Sequence, residues 1–204
     1  MAGSMTRPDL VADLKRSLHD AGSVFNAAGD ADWLRFLAIA LVAMQTKRPR
    51  TLLGTVTLIA EQDRYTIDAA DFATYKTHSW GGRPPKPWAP EYPGALPRVS
   101  VAQEGTANVL VFDPAPTMKH INAYGSVFRF WYFGTHTATD TTTTLAPVDR
   151  PLLLLRAQAE ALRELTMRNI NKPVSLRDGL SGTPRNSTPA ALFQALLQEW
   201  EAAR

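Results

Sequence analysis

The hydrophobic pattern of this 204-residue chain changes period twice, and that change constrains the fold more than any single motif. Apolar residues recur at helical spacing up to Lys47, turn into alternating or clustered β-branched and aromatic residues from Leu52 to Gly134, and return to helical spacing from Pro151. A 3.6-residue period puts apolar groups on one face of a helix, and a two-residue period puts them on one face of a sheet. The expected class is therefore α+β. An N-terminal helix pair and a third long helix pack together, an antiparallel β domain is inserted at residues 52–134, and a C-terminal arm over residues 169–204 ends in a short helix.

The spacing predicts helices over residues 6–21, 31–47 and 151–168. In the first, Leu10, Val11, Leu14 and Leu18 share a face, Thr6 and Asp9 are spaced as a capping box, and Gly22 is the expected stop. In the second, Trp33, Leu37, Leu41 and Met44 form a stripe that Leu34, Ile39 and Val42 widen, so the helix is expected to be buried on most sides. Pro49 ends it, because the residue before a proline is driven out of the α region. The third starts near Pro151 and presents Leu154, Leu155, Ala159, Leu162 and Leu165 to the core.

Between these helices, Leu53 to Ile59 and Arg64 to Ile67 read as a hairpin across Glu61-Gln62-Asp63. Further strands are expected at Arg98–Ala102, Asn108–Phe112 and Ser126–Phe133. The last is aromatic on both faces and belongs at the centre of its sheet. Six prolines between Pro84 and Pro97 keep the segment from 81 to 97 irregular. Trp80, Trp88 and Tyr92 are expected to pin that loop to the sheet. A Thr-rich turn follows from Thr135 to Thr144. Residues 169–189 are polar and turn-forming, and Thr188 with Pro189 opens a C-terminal amphipathic helix carrying Leu192, Phe193, Leu196, Leu197 and Trp200.

With no cysteine, the chain can form no disulfide, thiolate zinc site or cysteine nucleophile, which fits a reducing cytoplasm. The longest apolar run, Phe36 to Met44, is about half of a bilayer span, and no membrane association is expected. Met1 to Ser4 precede a second methionine, Met5, and read as a cloning remnant, so residues 5–168 are taken as one domain. The net charge is +3, with 22 basic and 19 acidic residues interspersed, which is little basis for nucleic-acid binding.

No catalytic constellation stands out, and an enzyme is not expected. His19, His78, His120 and His136 lack the short spacing of a zinc site and read as scattered surface residues. Phosphate-binding glycine loops and the Gly-x-Ser-x-Gly elbow are absent, and Gly179-Leu180-Ser181-Gly182 has the wrong spacing for the latter. Asp113-Pro114 reads as a strand terminator. Lys47, Arg48 and Arg50 are candidate phosphate contacts, although cations at a helix C-terminus also offset its dipole. No cofactor or metal is implied.

The order of these features resembles the head-to-tail adaptor, or connector, proteins of tailed double-stranded DNA bacteriophages. The likeness covers most of residues 5–170. It is carried by the two opening helices ending in Lys47-Arg48-Pro49-Arg50 and the strand pair closing on Tyr65-Thr66-Ile67-Asp68-Ala69-Ala70-Asp71-Phe72. The strand ending Leu110-Val111-Phe112-Asp113-Pro114-Ala115-Pro116-Thr117, the aromatic strand through Tyr132 and the helix Leu152 to Leu165 complete it. The segment with Arg177-Asp178-Gly179 and Thr183-Pro184-Arg185-Asn186 departs from the pattern.

The resemblance implies a virion neck protein assembled in the bacterial cytoplasm. It implies a ring, commonly of twelve copies, that binds the portal protein and offers a platform to the next neck or tail protein. DNA would pass through the channel without sequence-specific binding. Candidate contacts to the portal or to neighbouring copies are Arg177, Arg185, Leu192, Phe193, Leu196, Leu197 and Trp200. Alternatives are another neck component (a stopper or tail terminator), a nucleic-acid or carbohydrate-binding module, and an enzyme with a site gathered from distant residues.

Overall fold

The computed structural model describes residues 5–25, 27–82, 86–90, 92–169 and 188–203. In chain order the elements are α1 (Arg7–Ser17), α2 (Ala31–Lys47), β1 (Arg50–Thr57), β2 (Arg64–Thr66), β3 (Phe72–Trp80), β4 (Arg98–Glu104) and β5 (Ala107–Asp113). They continue with α3 (Met118–Tyr124), β6 (Val127–Gly134), α4 (Arg150–Arg168) and α5 (Pro189–Ala202). The class is α+β, as the periods predict. Two compact units form, one from Met1–Arg48 with His136–Arg204 and the other from Pro49–Thr135.

The first unit is helical. Leu10, Val11 and Leu14 of α1, Trp33, Phe36, Leu37, Ala40, Leu41 and Met44 of α2, and Leu153, Ala157, Ala161, Leu162 and Leu165 of α4 share one core with Phe25 and Leu145. Each large side chain removed from water there contributes roughly 1.5–3 kcal/mol. Phe25, Trp33 and Phe36 meet edge to face, with centroids 5.0–6.1 Å apart.

Three expectations about these helices are corrected. The first helix ends at Ser17, not at 21, because His19 takes a left-handed φ of 45° and the chain tightens into a 3₁₀ turn that delivers Phe25 to the ring cluster. Val42 is 63% exposed and does not widen the buried stripe of α2, although the helix is otherwise buried on most sides as expected. The buried face of α4 includes Ala159, Leu162 and Leu165 as expected, but Leu153, Ala157 and Ala161 complete it while Leu154 and Leu155 are only half-buried. Alanines at the contact let helices approach closely, a preference that the count of large apolar residues hides.

The second unit holds two antiparallel three-stranded sheets, ordered β1-β6-β3 and β2-β5-β4. The aromatic strand β6 is central, as expected. The expected hairpin of 53–59 with 64–67 does not form, since β1 pairs with β6 from Arg50↔Gly134 to Thr57↔Val127 and β2 pairs with β5. Eight residues of register with an aromatic strand outweigh three with β2. Glu61, at φ 63°, carries the chain from one sheet to the other.

Two elements have no counterpart in the sequence reading. β3 contains two irregularities, between Phe72 and Thr74 and between Tyr75 and Thr77, and each breaks the two-residue alternation by which strands are recognised. α3 is one short helix after Pro116, closed by a capping box in which Thr117 and His120 satisfy each other's backbone N–H. The sheets bury Phe112, Phe128, Phe130, Tyr132, Tyr65, Trp80 and Tyr124 between them. Phe112 and Phe128 meet edge to face at 4.9 Å.

Candidate interaction surface

The charge cluster at the end of α2 turns inward. The Lys47 ammonium donates to the Glu201 carbonyl at 2.7 Å and stands 5.3 Å from the Trp200 ring centre. Arg48 pairs with Asp149 at 3.0 Å, and its own carbonyl accepts from His136 Nε2 at 2.7 Å. In the other unit, Arg50 pairs with Asp71 at 3.0 Å, and Asp71 also accepts from the Tyr132 hydroxyl at 3.0 Å. Burial, with that hydrogen bond second, raises the Tyr132 phenol above its ordinary pKa of 10. All three candidate phosphate contacts therefore hold partners within the chain.

Two of the four histidines are buried, which corrects the reading of them as scattered surface residues. His120 Nδ1 accepts from the Thr117 N–H at 3.1 Å while Nε2 donates to the Ala95 carbonyl at 3.1 Å. That arrangement needs the neutral Nε2–H tautomer. It fastens the proline-rich loop beneath Trp80, whose indole N–H donates to the Gly125 carbonyl at 2.8 Å. Trp88 does not pin the loop; it is 79% exposed, with the Lys86 ammonium 5.4 Å from its ring centre. Among the described residues no group of three or more His, Asp or Glu side chains is placed to hold a metal ion, and no helix is long and apolar enough to cross a membrane.

Two surfaces are candidates for contact with another chain. The first is α5, whose Thr188 hydroxyl caps the Ala191 N–H at 3.2 Å with Pro189 in the first turn, as the sequence predicts. Phe193 and Leu196 rest on the helical core, Leu197 is half-buried and Leu192 is 42% exposed. Trp200 lies under the Arg156 guanidinium, 5.3 Å from its ring centre. Beside it, Arg48, Val148, Asp149, Leu152, Leu155 and Glu199 help to line a cavity of about 290 Å³. Arg177 and Arg185 lie outside the described residues.

The second surface is the outer face of the β1-β6-β3 sheet. Register places Thr51, Leu53, Thr55 and Thr57 of β1 beside Phe133, Trp131, Arg129 and Val127 of β6. Thr77 and Ser79 of β3 lie on the other side of Trp131 and Arg129. Leu53 is 54% exposed and Val127 50%, while the opposite face, with Phe128, Phe130 and Tyr132, is buried. The Lys76 ammonium stands 5.1 Å from the Phe133 ring centre. No Asp or Glu occurs in any of the three strands. The aromatic pattern on both faces of β6 was the signal for this surface, read as centrality in the sheet without the further step that one face stays uncovered.

No family model and no curated protein matches the chain. Seven chains of solved structures do. One belongs to "Neck of empty GTA particle computed with C6 symmetry": it is 20% identical, the match covers 95% of this chain and 89% of that one, and the TM-score is 0.30. A score of that size does not establish a common fold, and the functional reading rests on this chain's own residues.

Proposed function

We propose that this chain is a structural neck protein of a tailed-phage-like particle, a head-to-tail adaptor that assembles as a ring beneath the portal and joins it to the next neck or tail protein. The chain acts by shape and contact, without catalysis. The observation that carries the reading is the uncovered face of the β1-β6-β3 sheet, where Leu53 and Val127 are half exposed beside Trp131 and Phe133. Leu53, Val127, Trp131 and Phe133, set among Thr and Ser side chains on a face whose strands carry no carboxylate, favour burial against another protein. A closed ring needs heterologous contacts, and this sheet face and α5 supply two different surfaces for them. The element order that resembles connector proteins supplies the particular role.

The test is to mix the protein with the portal protein of the same genome and examine the product by size exclusion and electron microscopy. A ring stacked on the portal is the expected result. A genome without a portal gene overturns the reading, and a portal that ignores the protein moves it to a later neck component such as a stopper or tail terminator.

The same face favours one second reading. Trp131 and Phe133 with Arg129 and Lys76, on strands free of acidic residues, are the elements of a nucleic-acid-binding sheet. Affinity for DNA that falls steeply with salt supports it, and no binding at moderate salt removes it.

A further inference from the structure

The contact between α5 and α4 has features of a docking that can be made by either of two chains. α5 carries Leu192, Phe193, Leu196, Leu197 and Trp200, yet none of its residues is fully buried. A helix of 14 residues is marginal alone in water, so α5 depends on the surface beneath it. Its C-terminal end lies beside the N-terminal half of α4, where Trp200 meets Arg156 and Glu199 shares a cavity with Leu152 and Leu155. α5 thus runs back along α4.

Helices that pack in this way are joined by roughly 2–8 residues in most bundles. Here residues 169–188 separate Arg168 from Pro189, more than twice that length of chain. Fully extended, a connection of that length spans up to about 65 Å, enough to reach an adjacent copy. At the landing site Arg156 pairs with Glu160 at 2.6 Å and lays its guanidinium over the Trp200 ring, 5.3 Å from its centre, a contact that the Trp200 of either copy can make.

We infer that α5 is an exchangeable clasp, docking on the α4 groove of a second copy of this chain through the same Trp200–Arg156–Lys47 stack that it makes on its own. This rests on the ring reading above and names the groove and the occupant. The docked and exchanged forms share one set of contacts, so the connection and the concentration of neighbours decide between them. In a ring, every copy gives one helix and receives one.

The chain has no native cysteine, which makes the test direct. Leu155→Cys and Glu199→Cys chains, whose parent side chains line one cavity, are prepared separately, mixed, unfolded and refolded together, and treated with a short bismaleimide. A covalent pair that forms in the mixture and not with either variant alone is the expected result. Adding Trp200→Ala to the Glu199→Cys chain should lower its yield about tenfold, with circular dichroism confirming that the helices remain. Oligomers without that covalent pair overturn the exchange and leave the ring reading standing. A chain that stays monomeric and cross-links only within a Leu155→Cys/Glu199→Cys double variant also overturns it, while binding to the portal decides the neck reading separately.

Discussion

Replacing Gly54 by alanine probes how tightly the two faces of the β1-β6-β3 sheet are matched. Gly54 is the register partner of Phe130, whose ring lies across the place where a side chain would stand. An added Cβ would fall 2.3 Å from Phe130 Cζ and 2.7 and 2.8 Å from its two Cε atoms. Ordinary carbon contacts begin near ~3.5 Å, so the ring would have to withdraw by about 1 Å. It has little room, being 2% exposed with Tyr132 packed at 5.9 Å.

Overpacking of this kind costs about 1–3 kcal/mol, and replacing a strand glycine returns about 0.5–1 kcal/mol of backbone entropy. The net expectation is a loss of about 1–2 kcal/mol, read as a lower urea midpoint with an unchanged slope. Phe130→Leu destabilises by itself but vacates the space, so Gly54→Ala in that background should be neutral or favourable, a coupling of about 1–3 kcal/mol. If Gly54→Ala raises the midpoint, or if the two changes simply add, the packing argument is wrong.

Tyr132 gives a pH prediction. Its folded pKa is raised above the unfolded value of 10, so its contribution is complete below pH 10 and is lost as pH rises through the folded value. Tyr132→Phe should flatten the alkaline arm of a stability-versus-pH curve, and an unchanged arm would refute this. His120→Ala should cost about 2–4 kcal/mol by leaving the Thr117 N–H and the Ala95 carbonyl without their partner, measured by urea unfolding, with hydrogen exchange rising first between Pro93 and Pro97.

Local patterns made much of the architecture readable. The helical spacing before Lys47 and after Pro151, the two-residue alternation between them and the aromatic run of β6 placed helices, sheet and central strand. Thr188-Pro189 marked the start of α5 to the residue, because capping is a contact between near neighbours in the chain. The absence of cysteine likewise excluded whole classes of chemistry without reference to any fold.

Strand partners, by contrast, were decided only in the tertiary structure. β1 and β2 are adjacent in sequence, yet they belong to different sheets, because pairing is won by the longest apolar register wherever in the chain it lies. The irregularities in β3 erased the alternation that would have announced it. The partners of Lys47, Arg48 and Arg50 follow the same rule: a run of cations in the sequence shows charge, but Glu201, Asp149 and Asp71 are brought to them only by folding. Burial of His120 and His136 depends on the Ala95 and Arg48 carbonyls that folding brings within reach, and Trp88 is left exposed with Lys86 over its ring. Periodicity records which face a residue takes within its own element, and only packing determines what, if anything, covers that face.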